Sequence, residues 1–175
     1  MKSLLICGAL AAATGMAWGQ SPAATESKTF NGKKIEIKYS SPRVNNREGK
    51  IFTKDGLISH DPHYPVWRGG ANEATALHTD ANLDIAGLAV PKGDYTLFVD
   101  ISDPNNWQLI VSKATGEWGL DYDKSHDLGR VKMTMSKPAK MVEDLKYTVT
   151  DLGGGKGRLE LAWEDRAASV AFTVK

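Results

Sequence analysis

Short segments in which apolar and polar residues alternate constrain the fold of this chain more than any other feature. Residues 34–40 place Ile35, Ile37 and Tyr39 at every second position, so a strand there would turn one apolar face to a core and one polar face to water. Similar segments recur along the chain at the spacing of short strands, without a convincing long helix. The sequence therefore predicts an all-β fold, an antiparallel β-sandwich or a jelly-roll-like barrel with about nine or ten short strands.

Turn residues separate these segments. Residues 91–94 and 102–106 are rich in proline, glycine, aspartate and asparagine, which favour the backbone angles of tight turns, and they predict two consecutive hairpins. The glycine-rich run 153–157 opens no helix and lacks the lysine and hydroxyl pair of a phosphate-binding loop, so it is predicted to be a hairpin tip. The other predicted strands are 75–79, 82–85, 95–101, 107–112, 130–135, 145–152, 158–164 and 169–174.

Residues 1–19 have the pattern of a signal peptide. Lys2 provides a positive start, residues 4–13 form a short apolar run, and Ala17 and Gly19 are the small residues that precede a cleavage site. We expect cleavage after Gly19 and export to the periplasm or the extracellular space. The apolar run is shorter than the roughly 20 residues that span a bilayer as a helix, so no membrane insertion is expected.

The mature chain is expected to be one domain without disulfides. Residues 20–28 are small and polar, which predicts a flexible leader, and residues 29–175 have the length of a single β-sandwich domain with a sizeable core. The one cysteine, Cys7, leaves with the signal peptide. The full chain has 22 basic and 21 acidic residues, so removal of Lys2 with the signal peptide makes the two numbers equal. Both kinds are dispersed, so the basic footprint of a nucleic-acid-binding protein is missing.

Residues 67–75 combine an indole, a guanidinium, an amide and a carboxylate around a glycine pair. A bend at the glycines would gather these groups at the mouth of the sandwich. Arg68 would offer a fork of donors to a carboxylate, a phosphate or a sugar acid, and a tryptophan would stack on an apolar or sugar face. This predicts a site for a small polar or anionic ligand, such as an organic acid or a sugar acid. The candidate ligand-binding residues are Trp67, Arg68, Asn72, Glu73 and Trp118.

Two other interpretations of this string remain open. In the first, it is a structural network in which Trp67 fills the core while Arg68 and Glu73 pair or cap backbone, because buried polar atoms need partners. In the second, Glu73 serves a metal-assisted or acid–base enzyme of cupin-like appearance together with imidazoles. The candidate imidazoles are those of His60, His63 and His78.

The chain shows none of the most readable catalytic signatures. It has no Gly-x-Ser-x-Gly elbow, and its cysteine is lost with the signal peptide, so neither of two familiar nucleophiles is available. No cofactor is indicated either. The sequence therefore favours a non-catalytic protein over an enzyme.

A set of strings distributed along the chain carries a resemblance to a known family. The strings are Ser41-Pro42, Val66-Trp67-Arg68-x-Gly70-Ala71-Asn72-Glu73-Ala74-Thr75, Pro91-x-Gly93-x-Tyr95-x-Leu97-Phe98, Trp107, Trp118-Gly119, Tyr122, Arg130-Val131 and Leu161-x-Trp163-Glu164. Together they resemble the secreted bacterial family known as domain of unknown function 2911, over nearly all of the mature chain. The resemblance implies an extracytoplasmic domain with no established activity, and it marks where a site lies without naming a ligand.

Overall fold

A computed structural model describes residues 20–116 and 118–175. The predicted signal peptide, residues 1–19, lies outside the described residues. Two short 3-10 turns, Ile58–His60 and Lys124–His126, accompany the strands. The strands are β1 (Ala23–Phe30), β2 (Lys33–Ser40), β3 (Val66–Trp67), β4 (Thr75–Thr79), β5 (Leu83–Ile85), β6 (Leu88–Val90), β7 (Gly93–Asp100), β8 (Gln108–Ser112), β9 (Asp127–Lys132), β10 (Thr134–Ser136), β11 (Val142–Gly153), β12 (Lys156–Glu164) and β13 (Arg166–Val174).

Two antiparallel sheets pack face to face, which confirms the predicted all-β sandwich. The first sheet has the order β1-β2-β4-β7-β8-β9, and β3 also pairs with β7. The second has the order β11-β12-β13-β5-β6, and β10 also pairs with β13. In each sheet a long central strand therefore holds two short strands on one side, β3 and β4 on β7, and β10 and β5 on β13.

The alternation read from the sequence lines the space between the sheets. Ile35 and Ile37 of β2, and Leu97 and Val99 of β7, are at most 2% exposed. The second sheet contributes every other residue of β11, β12 and β13 to the same core. Burial of this apolar area is the main free-energy gain of folding. An aromatic cluster, which joins both sheets, consists of Phe52, Trp67, Trp107 and Trp163.

The flexible leader expected over residues 20–28 is replaced by an ordered edge strand. β1 pairs with β2 along its whole length, from Ala23 opposite Ser40 to Phe30 opposite Lys33. The polar composition of this segment did not predict the strand, because the backbone hydrogen bonds that hold an edge strand form whether its side chains are polar or apolar. Two contacts that hold β1 in place were not predicted from the sequence. Phe30 is buried, and the Glu26 carboxylate accepts a hydrogen bond of 2.9 Å from the Val149 amide of the second sheet.

The strand count and one turn also differ from the prediction. The structure has thirteen strands instead of nine or ten, because pieces as short as β3 and β10 pair with longer neighbours. Residues 91–92 cross from the second sheet to the first, so they close no hairpin. The hairpin before them joins β5 to β6 through Ala86 and Gly87, both at positive φ. The β7–β8 hairpin and the glycine tip between β11 and β12 are as predicted.

Over residues 20–116 and 118–175, no helix has the length and apolar character needed to cross a bilayer.

Candidate functional site

The string from Trp67 to Thr75 forms a loop between two strands that share a neighbour. β3 and β4 follow one another along the same side of β7, and residues 68–74 leave the sheet between them. Gly69 has a φ of +64°. A side chain at Gly69 would collide with the hydroxyl of Tyr147, which donates a hydrogen bond of 2.9 Å to the Gly69 carbonyl. The bend expected at the glycine pair is present, and it requires a residue without a side chain.

Trp67 is part of the core. Its ring stacks on that of Trp163 from the opposite sheet, with centroids 6.0 Å apart and planes inclined by 19°. The Trp67 indole N–H donates to the Gly70 carbonyl at 3.1 Å, so its polar atom is satisfied within the loop. The tryptophan that the sequence offered as a stacking platform for a ligand is therefore already stacked on another indole.

Arg68 forms an ion pair with Asp61. One terminal nitrogen of Arg68 lies 3.0 Å from a carboxylate oxygen of Asp61, and the other donates to the Asn72 carbonyl at 2.9 Å. The second oxygen of Asp61 accepts from the backbone N–H of His63 at 3.1 Å. Only 15% of the Arg68 side chain and 6% of the Asp61 side chain are exposed. The pair is thus largely removed from water, and each member depends on the other.

The remaining three predicted site residues take different places. The Asn72 side-chain amide donates to the Ser21 carbonyl and to the Ser40 hydroxyl, which ties the loop to the start of the domain. Glu73 is exposed, and its backbone pairs with that of Trp118, which is 47% exposed. The structure therefore joins Arg68 to Asn72 and leaves the side chains of Glu73 and Trp118 at the surface.

An open pocket of about 300 Å³ lies beside the ion pair. We call it the Arg68 pocket. Its wall is mostly apolar and comes from the connection before β3, from the loop after β3 and from Leu120. The lining residues are Pro42, Leu57, Ile58, His60, Asp61, Pro62, Trp67, Arg68, Gly70, Ala71, Asn72, Leu120 and Trp163.

The three candidate imidazoles each have a different neighbourhood. His60 contacts the Gly56 carbonyl at 2.9 Å, and His63 contacts the Leu120 carbonyl at 2.7 Å. His78 lies between Asp94 and Asp80, and hydrogen bonds to these carboxylates raise its pKa. The part of the chain that the structure describes contains no group of three or more His, Cys, Asp or Glu side chains able to hold a metal ion. Among the described residues, these imidazoles have hydrogen-bond contacts with Gly56, Leu120, Asp80 and Asp94 and none with Glu73.

A family model described as a protein of unknown function, DUF2911, matches residues 21–172. The chain belongs to this family. The match includes every residue of the Arg68 pocket and confirms the resemblance read from the sequence. Neither a curated protein nor a solved structure matches the chain. The description of the family states no activity, so the pocket itself is the guide to function.

Two largely buried acidic residues were not among the predicted site residues. Asp61 lies between His60 and His63 in the sequence, and its pairing with Arg68 was not predicted. Glu164 directly follows Trp163 and is 4% exposed; its carboxylate accepts a hydrogen bond from the Gly49 amide. Burial raises the pKa of Glu164, and the Gly49 bond opposes this effect. The sequence does contain one feature that the two sites share: in Trp163-Glu164 and in Trp67-Arg68, a charged residue directly follows a tryptophan.

Replacement of Arg68 by alanine should destabilise the fold. It leaves the Asp61 carboxylate buried without its cation and the Asn72 carbonyl without its donor, so we expect a loss of about 3 kcal/mol in the free energy of unfolding. Arg43→Ala is the matched control, because Arg43 pairs with Glu143 and Asp144 at the surface and should lose less than about 1 kcal/mol. Denaturant titrations of both variants measure the difference, and equal losses would show that the Arg68 pair is not structural.

The Glu164 carboxylate should make stability depend on pH. The pKa of Glu164 is raised in the folded state. Protonation of this carboxyl therefore favours the folded state, and the resulting stabilisation is complete at low pH and is lost as the pH rises through the folded-state pKa. Glu164→Gln removes the buried charge and keeps an oxygen to accept the Gly49 N–H. We expect the variant to melt at a higher temperature than the wild type near pH 7, with the gap closing towards pH 4. A variant that melts lower at pH 7 would contradict the assignment.

Proposed function

We propose that this protein is a binding domain for a small organic molecule, which it holds in the Arg68 pocket. The observation that carries the proposal is an open pocket of about 300 Å³ beside a guanidinium that is itself largely buried. Among the described residues, Arg68 uses its N–H groups for Asp61 and Asn72, and an arginine has five such donors. Donors therefore remain for an oxygen of the ligand.

The lining supports a ligand with an apolar body. Pro42, Leu57, Ile58 and Leu120 contribute apolar surface around the single ion pair. Small-molecule sites in proteins commonly combine such walls with a few fixed polar groups, in volumes from about 300 Å³ upwards. Contact with the walls would supply affinity through apolar burial, and the polar end would orient the molecule.

The segment that follows Trp118 borders the pocket. The neighbouring Gly119 lies so close to Arg68 that a side chain at this glycine would meet the guanidinium. The segment 118–120 therefore covers one side of Arg68 and delivers Leu120 to the wall. In this proposal Arg68 and Asn72 line the site, Trp67 closes it from the core, and Trp118 and Glu73 lie at its outer margin.

Filling the pocket tests this function. Ala71 lines the pocket, so Ala71→Leu should occupy part of its volume while leaving the Arg68 pair in place. Ala89→Leu, at an exposed position of β6, adds the same side chain elsewhere. We expect a fragment library, screened by protein-observed NMR, to give binders that shift the Arg68 and Trp67 side-chain N–H signals. Ala71→Leu should weaken these binders at least about tenfold, and Ala89→Leu should not.

Two results would count against the binding function. One is a library that produces no shift at the Arg68 pocket. The other is a set of binders whose affinity is unchanged by Ala71→Leu, because such molecules must bind at a different surface. Either result would favour a structural role for the polar string.

We further propose that the domain is exported after cleavage behind Gly19. The first backbone contact of the described chain involves Ser21, whose carbonyl accepts from Asn72, and Pro22 accepts from the Ser41 amide. Cleavage at the predicted position would thus leave Gln20 exposed and every one of these contacts intact.

Processing can be measured directly. When the full chain is expressed in a bacterium with an intact export pathway, the mass of the purified protein should correspond to a chain that begins at Gln20 and is recovered outside the cytoplasm. Ala17→Lys places a charge at the predicted recognition position and should leave the precursor uncleaved. A full-length product from the unaltered chain would contradict the proposal.

A further inference from the structure

We infer that the Arg68 pocket selects an uncharged ligand with an amide group over the corresponding carboxylic acid. This inference rests on the proposed binding function and narrows it to a ligand class. It departs from the organic acid or sugar acid that the isolated arginine suggests, because the structure supplies that arginine with its own anion.

The first step concerns charge. A ligand carboxylate that approached Arg68 would also approach the Asp61 carboxylate, which lies 3.0 Å from the guanidinium nitrogen and lines the same pocket. The repulsion from Asp61 offsets part of the attraction to Arg68, because the pocket presents a neutral ion pair and no net positive charge from these two groups. The two other polar side chains of the wall are those of Asn72, which carries no charge, and of His60, whose ring contacts the Gly56 carbonyl at 2.9 Å.

The second step concerns desolvation. An ionised carboxylate loses far more hydration free energy than an amide when it enters a mostly apolar pocket, and only an unpaired cation would compensate for the loss. Arg68 is already paired with Asp61. A neutral group avoids this cost and still makes hydrogen bonds.

The third step concerns hydrogen-bond pattern. Among residues 20–116 and 118–175, the partners of Arg68 leave some of its N–H donors unused, and each oxygen of Asp61 accepts one hydrogen bond, from Arg68 or from the His63 amide. A carboxylate oxygen can accept more than one bond. Donor and acceptor therefore stand side by side at the polar end of the pocket. An amide matches this pair, because its carbonyl accepts from Arg68 while its N–H donates to Asp61; a carboxylate has no proton to donate.

Matched ligand pairs test the inference on the mature wild-type domain. The probes are phenylacetamide with phenylacetate, and hexanamide with hexanoate, so that each pair shares its apolar body. Titrations at about pH 8 follow the Arg68 and indole N–H signals by NMR. We expect each amide to bind at least about tenfold more tightly than its acid.

An Asp61 variant makes the test sharper. Asp61→Asn keeps an oxygen to accept from Arg68 but removes the opposing charge, so the preference should shift towards the acid by at least about tenfold. Asp151→Asn changes the net charge equally at an exposed site on the β11–β12 hairpin and should leave the preference unchanged.

The outcomes separate the two proposals. Amide selectivity in the wild type that shifts in Asp61→Asn supports the inference. Acids that bind the wild-type pocket as tightly as the amides overturn the inference and leave the binding function standing. If no probe shifts the pocket signals and the fragment library also finds no binder there, both proposals fail. Should Asp61→Asn not fold, the wild-type comparison alone decides.

Discussion

The Trp67 and Trp163 indoles join the two sheets within the aromatic cluster. Trp67 belongs to the first sheet and Trp163 to the second, and their rings stack across the core. Phe52, from the long connection between β2 and β3, meets both rings edge-on at 5.8 Å. Three segments that are distant in the chain are thus fixed to one another by aromatic burial and by edge-to-face geometry.

Each indole is followed by a charged residue that holds the same connection. Arg68 pairs with Asp61 near the end of this connection, and the Glu164 carboxylate accepts a hydrogen bond from the Gly49 amide nearer the start of the connection. Ordering a connection of this length would otherwise cost a large amount of conformational entropy. Phe52, which packs against the core, and these two polar contacts anchor the connection, which forms one wall of the Arg68 pocket.

This arrangement explains why the bend of the loop could be predicted from the sequence while the partner of its arginine could not. The string 67–75 was recognisable from its density of polar groups, and its glycine bend was inferred correctly. The partner of Arg68 was not recognised, because Asp61 lies seven residues away behind two prolines and no periodic pattern brings it near. A guanidinium considered alone attracts anions, whereas the same guanidinium beside a buried carboxylate forms part of a neutral pair.

The all-β sandwich and most strand positions could be predicted from the sequence because alternation and turn residues act over a few neighbours, and the family could be predicted from short strings of residues. Tertiary structure decided what depends on distant partners. It ordered β1, whose polar residues are held by pairing with β2 and by Glu26 reaching Val149. It placed Trp67 in the core, paired Arg68 with Asp61 and left Glu73 exposed. The physical reason is that burial and hydrogen-bond satisfaction are properties of the assembled sheets, and no short window of residues contains them.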